Sequence, residues 1–505
     1  MPIPNRILTP APHRLAGRAR LCLPFAAALS FAVIFSGCAD KSLLRFEKIA
    51  NSAQKDDYAK AVESVRKNKD LYGSSSALLY HMDLGILQHY AGHYDSSILE
   101  LSQAVSLFDD LFAKSVSNEA LSIVANDNVR PYRGKPHEIV LLHQFLAFDY
   151  LALGKNDDAL VEARQAQLYI DELKRKAGKD AKAYSDDGMF RYLSALTYQA
   201  AGQRDDAAIS MYQAVKAYRG GGMDLPPVVA RDALATLQAS DRQNDIQELK
   251  LADETAKPGN ASSQAGGTAS TESEIIVVGE AGRSPALGQN VFWGTWARDG
   301  VLVIHYHDVK GNEVTQVLPA PGLPVGELQK ASRGRNTQSG TTFHIKFSMP
   351  AIKDVVSRTR FFSVAGEAAP VPVKTAALTD LDPLMNKYLE ENQSSILIRT
   401  VIRVVLRTIA AQETKSAVSG SNPLVNLLLN VGTDVLADQA EQADTRTWFL
   451  LPKTIQIARI PVKPGVHSFT VQAHDASGTP LASYPFENIT VKPGEKKFVF
   501  CASLK

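Results

Sequence analysis

The sequence predicts a multidomain chain: an all-α helical-repeat domain, then a mostly-β, sandwich-like domain interrupted by a helical insertion. Three observations carry this. Residues 42–218 are rich in Ala, Leu, Lys, Asp and Tyr, poor in proline, and space their apolar residues three and four apart, the period of an amphipathic helix. From about residue 274 the apolar period drops to two, that of a strand. Between them KPGNASSQAGGTASTES has almost no apolar content and can form no core.

The helical region repeats. From Gly85, the residues Gln88, Gly92, Ser97, Leu101 and Ala104 follow at offsets 3, 7, 12, 16 and 19. The same offsets from Ala147 give Tyr150, Gly154, Ala159, Ala163 and Ala166, and from Ala195 they give Tyr198, Gly202, Ala207, Met211 and Ala214. Small residues let two antiparallel helices approach, and the glycine makes the turn between them. This pattern resembles the tetratricopeptide repeat (TPR). The anchors lie 62 and 48 residues apart instead of 34, so inserts are expected over roughly 108–138 and 170–188. The register places Ala159, Ala163 and Ala207 inside the hairpins and turns Ala208 away. It also lines a concave groove with Met82, His89, Gln144, Phe148, Tyr192 and Gln199, a surface on which TPR proteins hold extended peptides or partner helices.

The boundaries follow from composition: a signal segment over 1–37, the TPR-like domain over 38–240, a linker over 241–273, strands over 274–379, the helical insertion over 380–442 and a C-terminal β region over 443–505. Strands are expected at 275–278, 301–307, 341–347, 360–364, 454–460, 465–473, 481–491 and 496–502, with Gly- or Pro-containing turns between them. The last four look like half of a sandwich that the earlier strands complete. The insertion reads as two helices, Leu384–Gln412 and Pro423–Gln442. Arg399, Arg403 and Arg407 form a basic stripe on the otherwise apolar first helix, which suits a helix packed under the β domain with its arginines solvated. An oligomer interface or a membrane surface would suit the same stripe.

The N-terminus carries Arg6, Arg14, Arg18 and Arg20, no acid, and then the 15-residue apolar run Leu21–Phe35. That run falls short of the roughly 20 residues a spanning helix needs, and a basic segment before a short apolar core describes a signal peptide. Phe35-Ser36-Gly37-Cys38 looks like the lipobox of bacterial lipoproteins, which implies cleavage before Cys38 and acylation of its thiol. Each buried CH₂ of an acyl chain contributes ~0.8 kcal/mol, so two or more chains anchor stably. Ala39 after the cysteine, with Asp40 one place later, favours the periplasmic face of the outer membrane. Cys22 leaves with the signal and Cys501 remains alone, so no intramolecular disulfide forms. The mature chain holds 51 basic against 53 acidic residues, a balance that does not point to nucleic acid.

No nucleophile–base set, Walker A segment or H-E-x-x-H motif is present, so no catalytic residue, metal or cofactor is assigned. His305 and His307 share a strand face but lack a third ligand. His89 and His93 have helical metal spacing, but Gly92 puts a turn between them. Arg133, Lys135 and His137 form a small basic loop that could meet an anionic partner. Asp444 and Arg446 are expected to pair at a corner where Trp448 opens a strand. Tyr132-Arg133-Gly134-Lys135-Pro136-His137-Glu138, Ala443-Asp444-Thr445-Arg446-Thr447-Trp448 and Ile455-Gln456-Ile457-Ala458-Arg459 resemble segments of a bacterial outer-membrane lipoprotein family with a TPR-like N-terminal half and a C-terminal β domain. That family brings no activity to carry over. The expected function is a lipid-anchored periplasmic scaffold that binds protein partners of a cell-envelope complex. The alternatives are a structural subunit of an oligomeric ring or conduit and, third, an envelope enzyme.

Overall fold

The computed structural model describes residues 41–115, 130–177, 188–221, 223–256, 273–296, 301–307, 313–319, 343–414 and 443–505. The signal segment, Cys38, residues 116–129 and 178–187 of the expected inserts, the core of the linker and the helix expected over Pro423–Gln442 lie outside the described residues. The chain forms two compact units, Met1–Glu47 and Lys48–Lys505.

The helices are α1 (Lys41–Ala53), α2 (Tyr58–Lys67), α3 (Lys69–Tyr72), α4 (Ala77–Tyr90), α5 (Tyr94–Ser115), α6 (Pro136–Ala152), α7 (Asn156–Ala177), α8 (Gly188–Ala200), α9 (Arg204–Gly220), α10 (Pro227–Ala239), α11 (Gln243–Glu248), α12 (Leu251–Thr255) and α13 (Leu381–Thr414). Three TPR-like hairpins, α4–α5, α6–α7 and α8–α9, turn in one way. Gly92, Gly154 and Gly202 take φ of 74°, 72° and 74°, a left-handed conformation that a side chain would strain. Behind each turn an amide reaches back to the helix it leaves: His93 to Gln88, Lys155 to Tyr150 and Gln203 to Tyr198, at 2.8–2.9 Å. Ala159, Ala163 and Ala207 are buried. So is Ala208, contrary to the register argument, because α9 packs between α8 and α10 and has no free side there. The helical region also runs on past residue 240. Ile246, Leu249 and Leu251 anchor α11 and α12 in the core, so the segment 241–256 is folded.

Twelve strands follow among the described residues: β1 (Glu274–Ala281), β2 (Ala286–Trp296), β3 (Val301–His307), β4 (Glu313–Pro319), β5 (Phe343–Lys353), β6 (Phe361–Gly366), β7 (Val373–Lys374), β8 (Ala376–Asp380), β9 (Thr454–Pro461), β10 (Gly465–His474), β11 (Pro480–Val491) and β12 (Lys496–Ser503). They make three sheets, ordered β12-β1-β9-β8, β11-β10-β6-β7 and β4-β3-β2-β5. In the first, β1 runs parallel to β12 and antiparallel to β9, so strands from both sides of the insertion share one sheet. The first two sheets share a core of Ile275, Val277, Phe362, Val364, Ala458, Ile460, Val471 and Val499. Gly279 lies where a side chain would collide with the Phe362 ring, and its bareness lets the sheets approach.

Alternation on β1 explains the layering. Its odd-numbered residues Ile275 and Val277 enter that core, yet every residue from Glu274 to Ala281 is buried. The other face of the sheet is covered by the helices. Strand β12 touches α4, α6 and α8, the first helix of each hairpin. The architecture is therefore helices, sheet and sheet in three layers, with the third sheet beside them. Helix α13 packs on β5 of that third sheet. Leu397, Thr400 and Arg403, at three-residue spacing on one helix face, are all buried there. Arg403 thus departs from the expected solvated stripe, because it shares the apolar residues' face. Among the described residues no helix is long and apolar enough to cross a membrane.

Candidate functional site

The concave surface expected to take a partner is occupied by the chain's own β layer. Met82, His89, Gln144, Phe148 and Tyr192 are buried, and Gln199 is half-buried. Phe148 packs on Phe500 of β12 at 5.0 Å between ring centroids. Three tyrosines on the helical side donate hydrogen bonds to backbone carbonyls of the β side: Tyr58 to Ala502 at 3.1 Å, Tyr90 to Leu450 at 2.8 Å and Tyr218 to Leu378 at 2.8 Å. The expectation of an open groove is corrected accordingly. An apolar concave face needs cover, and β12 supplies it within the chain.

Two buried ionic clusters fasten this seam. His89 of α4 bonds through Nδ1 to Asp149 of α6 at 2.6 Å and through Nε2 to Glu280 of β1 at 2.9 Å. Burial alone would drive its pKa down, but the two carboxylates outweigh it and raise the imidazole to about 10, so His89 is charged at neutral pH. Phe145 and Phe500 close over the ring at 5.1 and 5.4 Å. In the second cluster Arg459 of β9 reaches Asp232 of α10 at 2.8 Å and also grips Glu274 of β1. Lys496 of β12 bonds the same Glu274 at 2.8 Å, and Tyr192 donates to Asp232 at 2.5 Å. His89 is therefore a charged strut of the fold. His93 sits beyond the Gly92 turn with its Nδ1 3.1 Å from Gln88.

The third junction joins the two segments 132–138 and 443–448. Glu138, fully buried in the first turn of α6, accepts from Thr447 Oγ1 at 2.8 Å and the Trp448 amide at 2.9 Å, as well as from the Tyr132 hydroxyl. Lys135 Nζ lies 3.2 Å from Glu138 and donates to the Arg446 carbonyl at 2.7 Å. Burial pushes the Glu138 carboxyl up, but Lys135, His137 and these hydrogen bonds prevail and hold it at about 2. Arg446 forks onto Asp444 at 2.8 and 2.7 Å, the pair expected from the sequence, and its third nitrogen donates to the carbonyls of Ser75 and Arg130. Trp448 is fully buried, but it precedes β9 by six residues and opens no strand.

The basic loop is thus not a solvated patch. Lys135 is buried, and His137 is held near pKa 4 by burial and then by the Lys135 charge, which leaves it neutral at pH 7. Only Arg133 of the three is exposed. Over this junction lies a cavity of about 240 Å³, lined by Arg130, Arg133, Lys135, Arg399, Asp444 and Arg446, with Tyr132, Tyr388, Ser348 and Thr400 in its walls. Among the described residues no group of three or more His, Cys, Asp or Glu could hold a metal ion. His305 and His307 lie on β3.

No family model and no curated protein matches this chain. Solved structures with partial likeness include two crystal structures of a Podosopora anserina putative kinesin light chain with nearly identical TPR-like repeats. The first is 16% identical with a TM-score of 0.28, and the match covers 42% of this chain and 96% of that one. The second, a point-substituted form of the same protein, is 17% identical with a TM-score of 0.28, covering 42% and 93%. MamA (AMB-1) is 15% identical with a TM-score of 0.26, covering 43% of this chain and 94% of that one.

Proposed function

We propose that the protein is a lipid-anchored adaptor on the periplasmic face of the outer membrane, holding a protein of a cell-envelope complex on the outer side of its hairpins. One observation carries the placement. Leu99, Val161 and Ile209 each lie 14 residues after a repeat anchor, on the second helix of successive hairpins, and are 71%, 50% and 46% exposed. A single exposed aliphatic residue is ordinary on a protein surface. The same register position apolar and exposed in three hairpins is a pattern, and it faces outward where the first helices are covered. The lipobox-like segment around Cys38 supports the anchor and the compartment.

Two experiments test this reading. A photo-crosslinking residue at Val161 in the membrane-tethered chain is expected to yield one discrete protein adduct. Leu99→Ser with Ile209→Ser should abolish the adduct while leaving the melting midpoint nearly unchanged, since exposed sites rarely shift stability beyond about 0.5 kcal/mol. An adduct that persists, or one whose mass is a second copy of this chain, would overturn the adaptor reading. Separately, Cys38→Ala should release the protein from the membrane fraction and remove acyl labelling; retained label would end the lipid-anchor assignment.

A further inference from the structure

The outer face of the hairpins carries charge in the same register as its exposed aliphatic residues. Asp95, Asp157 and Asp205 each lie 10 residues after a repeat anchor and four before Leu99, Val161 and Ile209. Residues four apart are neighbours on a helix surface, so each acid stands beside its aliphatic residue on α5, α7 or α9. All three acids are exposed, as are Asp158 and Asp206 next to them. The hairpins also meet at this end. Lys155, just before α7, lies 3.6 Å from Asp95, Asn156 donates to the Ala200 carbonyl at 2.8 Å, and Arg164 donates to Gln203 at 3.0 Å. The three acid–aliphatic pairs therefore lie along one edge that crosses all three hairpins.

An acid in the first turn of a helix is favoured by the helix dipole whatever lies outside it, so the carboxylates alone name no ligand. The aliphatic residues beside them have no such local reason to stay in water. Leu168, seven residues on from Val161 and 62% exposed, extends the apolar strip along α7. A repeated apolar strip of this kind is what a partner covers.

Charge decides which cover suits it. Among the described residues of this edge the five exposed acids stand against three exposed cations, Lys155, Arg164 and Arg204. An anionic lipid surface would be repelled by that excess. A second copy docked face to face would set the same acids opposite each other. A helix with lysines and arginines flanking an apolar face meets both features, covering the aliphatic residues and placing cations against the acids. We propose that this edge binds a basic amphipathic helix of a protein partner. The proposal rests on the adaptor reading for the place of contact and adds the chemistry of what is bound there.

The probe is a labelled peptide of about 20 residues, long enough to form a helix, with leucine on one face and lysine on the other. Its counterpart carries glutamate in place of lysine. Fluorescence anisotropy with the full chain in non-ionic detergent should show saturable binding of the lysine peptide and binding at least about tenfold weaker for the glutamate peptide. Asp157→Lys with Asp205→Lys, and separately Leu99→Ser with Ile209→Ser, should each weaken the lysine peptide about tenfold, with thermal midpoints near that of the parent. The neutral pair Asp157→Asn with Asp205→Asn, which disturbs the helix starts less, should weaken it in the same direction by a smaller factor. Equal binding of the two peptides, or binding indifferent to either the charge or the serine substitutions, would overturn the proposal. Photo-crosslinking at Val161 separates that failure from failure of the adaptor reading. A discrete protein adduct whose yield is unchanged by Asp95→Lys with Asp205→Lys would leave the adaptor reading standing and overturn the basic-helix proposal. Charge-dependent peptide binding with no protein adduct would support the chemistry of the edge and remove the adaptor reading.

Discussion

His89→Gln is expected to destabilise the protein by about 3–5 kcal/mol at pH 7, the range for removing one partner of a buried ion pair. The substitution leaves Asp149 and Glu280 facing each other, with side chains at 0% and 1% exposure, where water cannot reach them. The loss should be partly recovered by adding Glu280→Gln, because the double variant strands one buried carboxylate, Asp149, in place of two facing each other. Urea unfolding of the four chains of that cycle checks it. Additive losses would mean that the imidazole and the carboxylate do not act together.

The pH dependence gives a second readout. The folded pKa of His89 is raised to about 10, above the unfolded value of 6.5, so its contribution is complete below pH 6.5 and is lost as pH rises toward 10. The stability gap between parent and His89→Gln should therefore narrow steadily across that alkaline window. On the acid side, burial raises the pKa of both Asp149 and Glu280, so mild acidification should rescue the variant by protonating them. A gap that stays constant from pH 6.5 to 10 would mean that His89 is neutral in the folded protein.

The hairpins were legible in the sequence because their signal is local. A glycine that must take positive φ and small residues at fixed offsets depend only on neighbours within one hairpin. The strands with dense β-branched or aromatic residues, Ile275–Val278 in Glu274–Ala281 and Phe498-Val499-Phe500 in Lys496–Ser503, were legible for the same reason. Ala286–Trp296 was not, since Gly288, Gln289 and Asn290 interrupt its apolar run, and it is stabilised by pairing over its whole length with Phe343–Lys353. The covered groove was also invisible to local reasoning. Which surface lies on the first helices depends on β12, more than 290 residues beyond Ala195 in the sequence. One signal did exist: EIIVVGEA is an apolar run with a glutamate near each end. A strand buried on both faces must satisfy such carboxylates with cations from other elements, and His89 and Arg459 are those cations.

Arg459→Met should cost about 3–5 kcal/mol as well, and its pH signature should be the reverse of that of His89. The guanidinium is 3% exposed and joins Asp232 on the last long helix of the helical layer to Glu274 at the start of the central sheet. Methionine fills much of the volume but leaves Asp232 with the Tyr192 hydroxyl and Glu274 with Lys496. For Glu274, burial pushes the carboxyl pKa up, but Arg459 and then Lys496 overcome this and bring it below the ordinary glutamate value. A depressed folded pKa gives stability that is present above the unfolded value of about 4.5 and is lost as pH falls. Parent and Arg459→Met should therefore converge on acidification, where the parent loses what the variant already lacks. Combining Arg459→Met with Glu274→Gln and Asp232→Asn should recover much of the loss, because a neutral, filled seam no longer holds an unpaired charge. Hydrogen exchange at the β1 and β9 amides should report the same order: fastest in Arg459→Met, slower in the triple variant, slowest in the parent. Equal exchange in all three, or a stability gap unchanged between pH 7 and 4, would show that the cation at 459 is not what fastens the helical layer to the sheet.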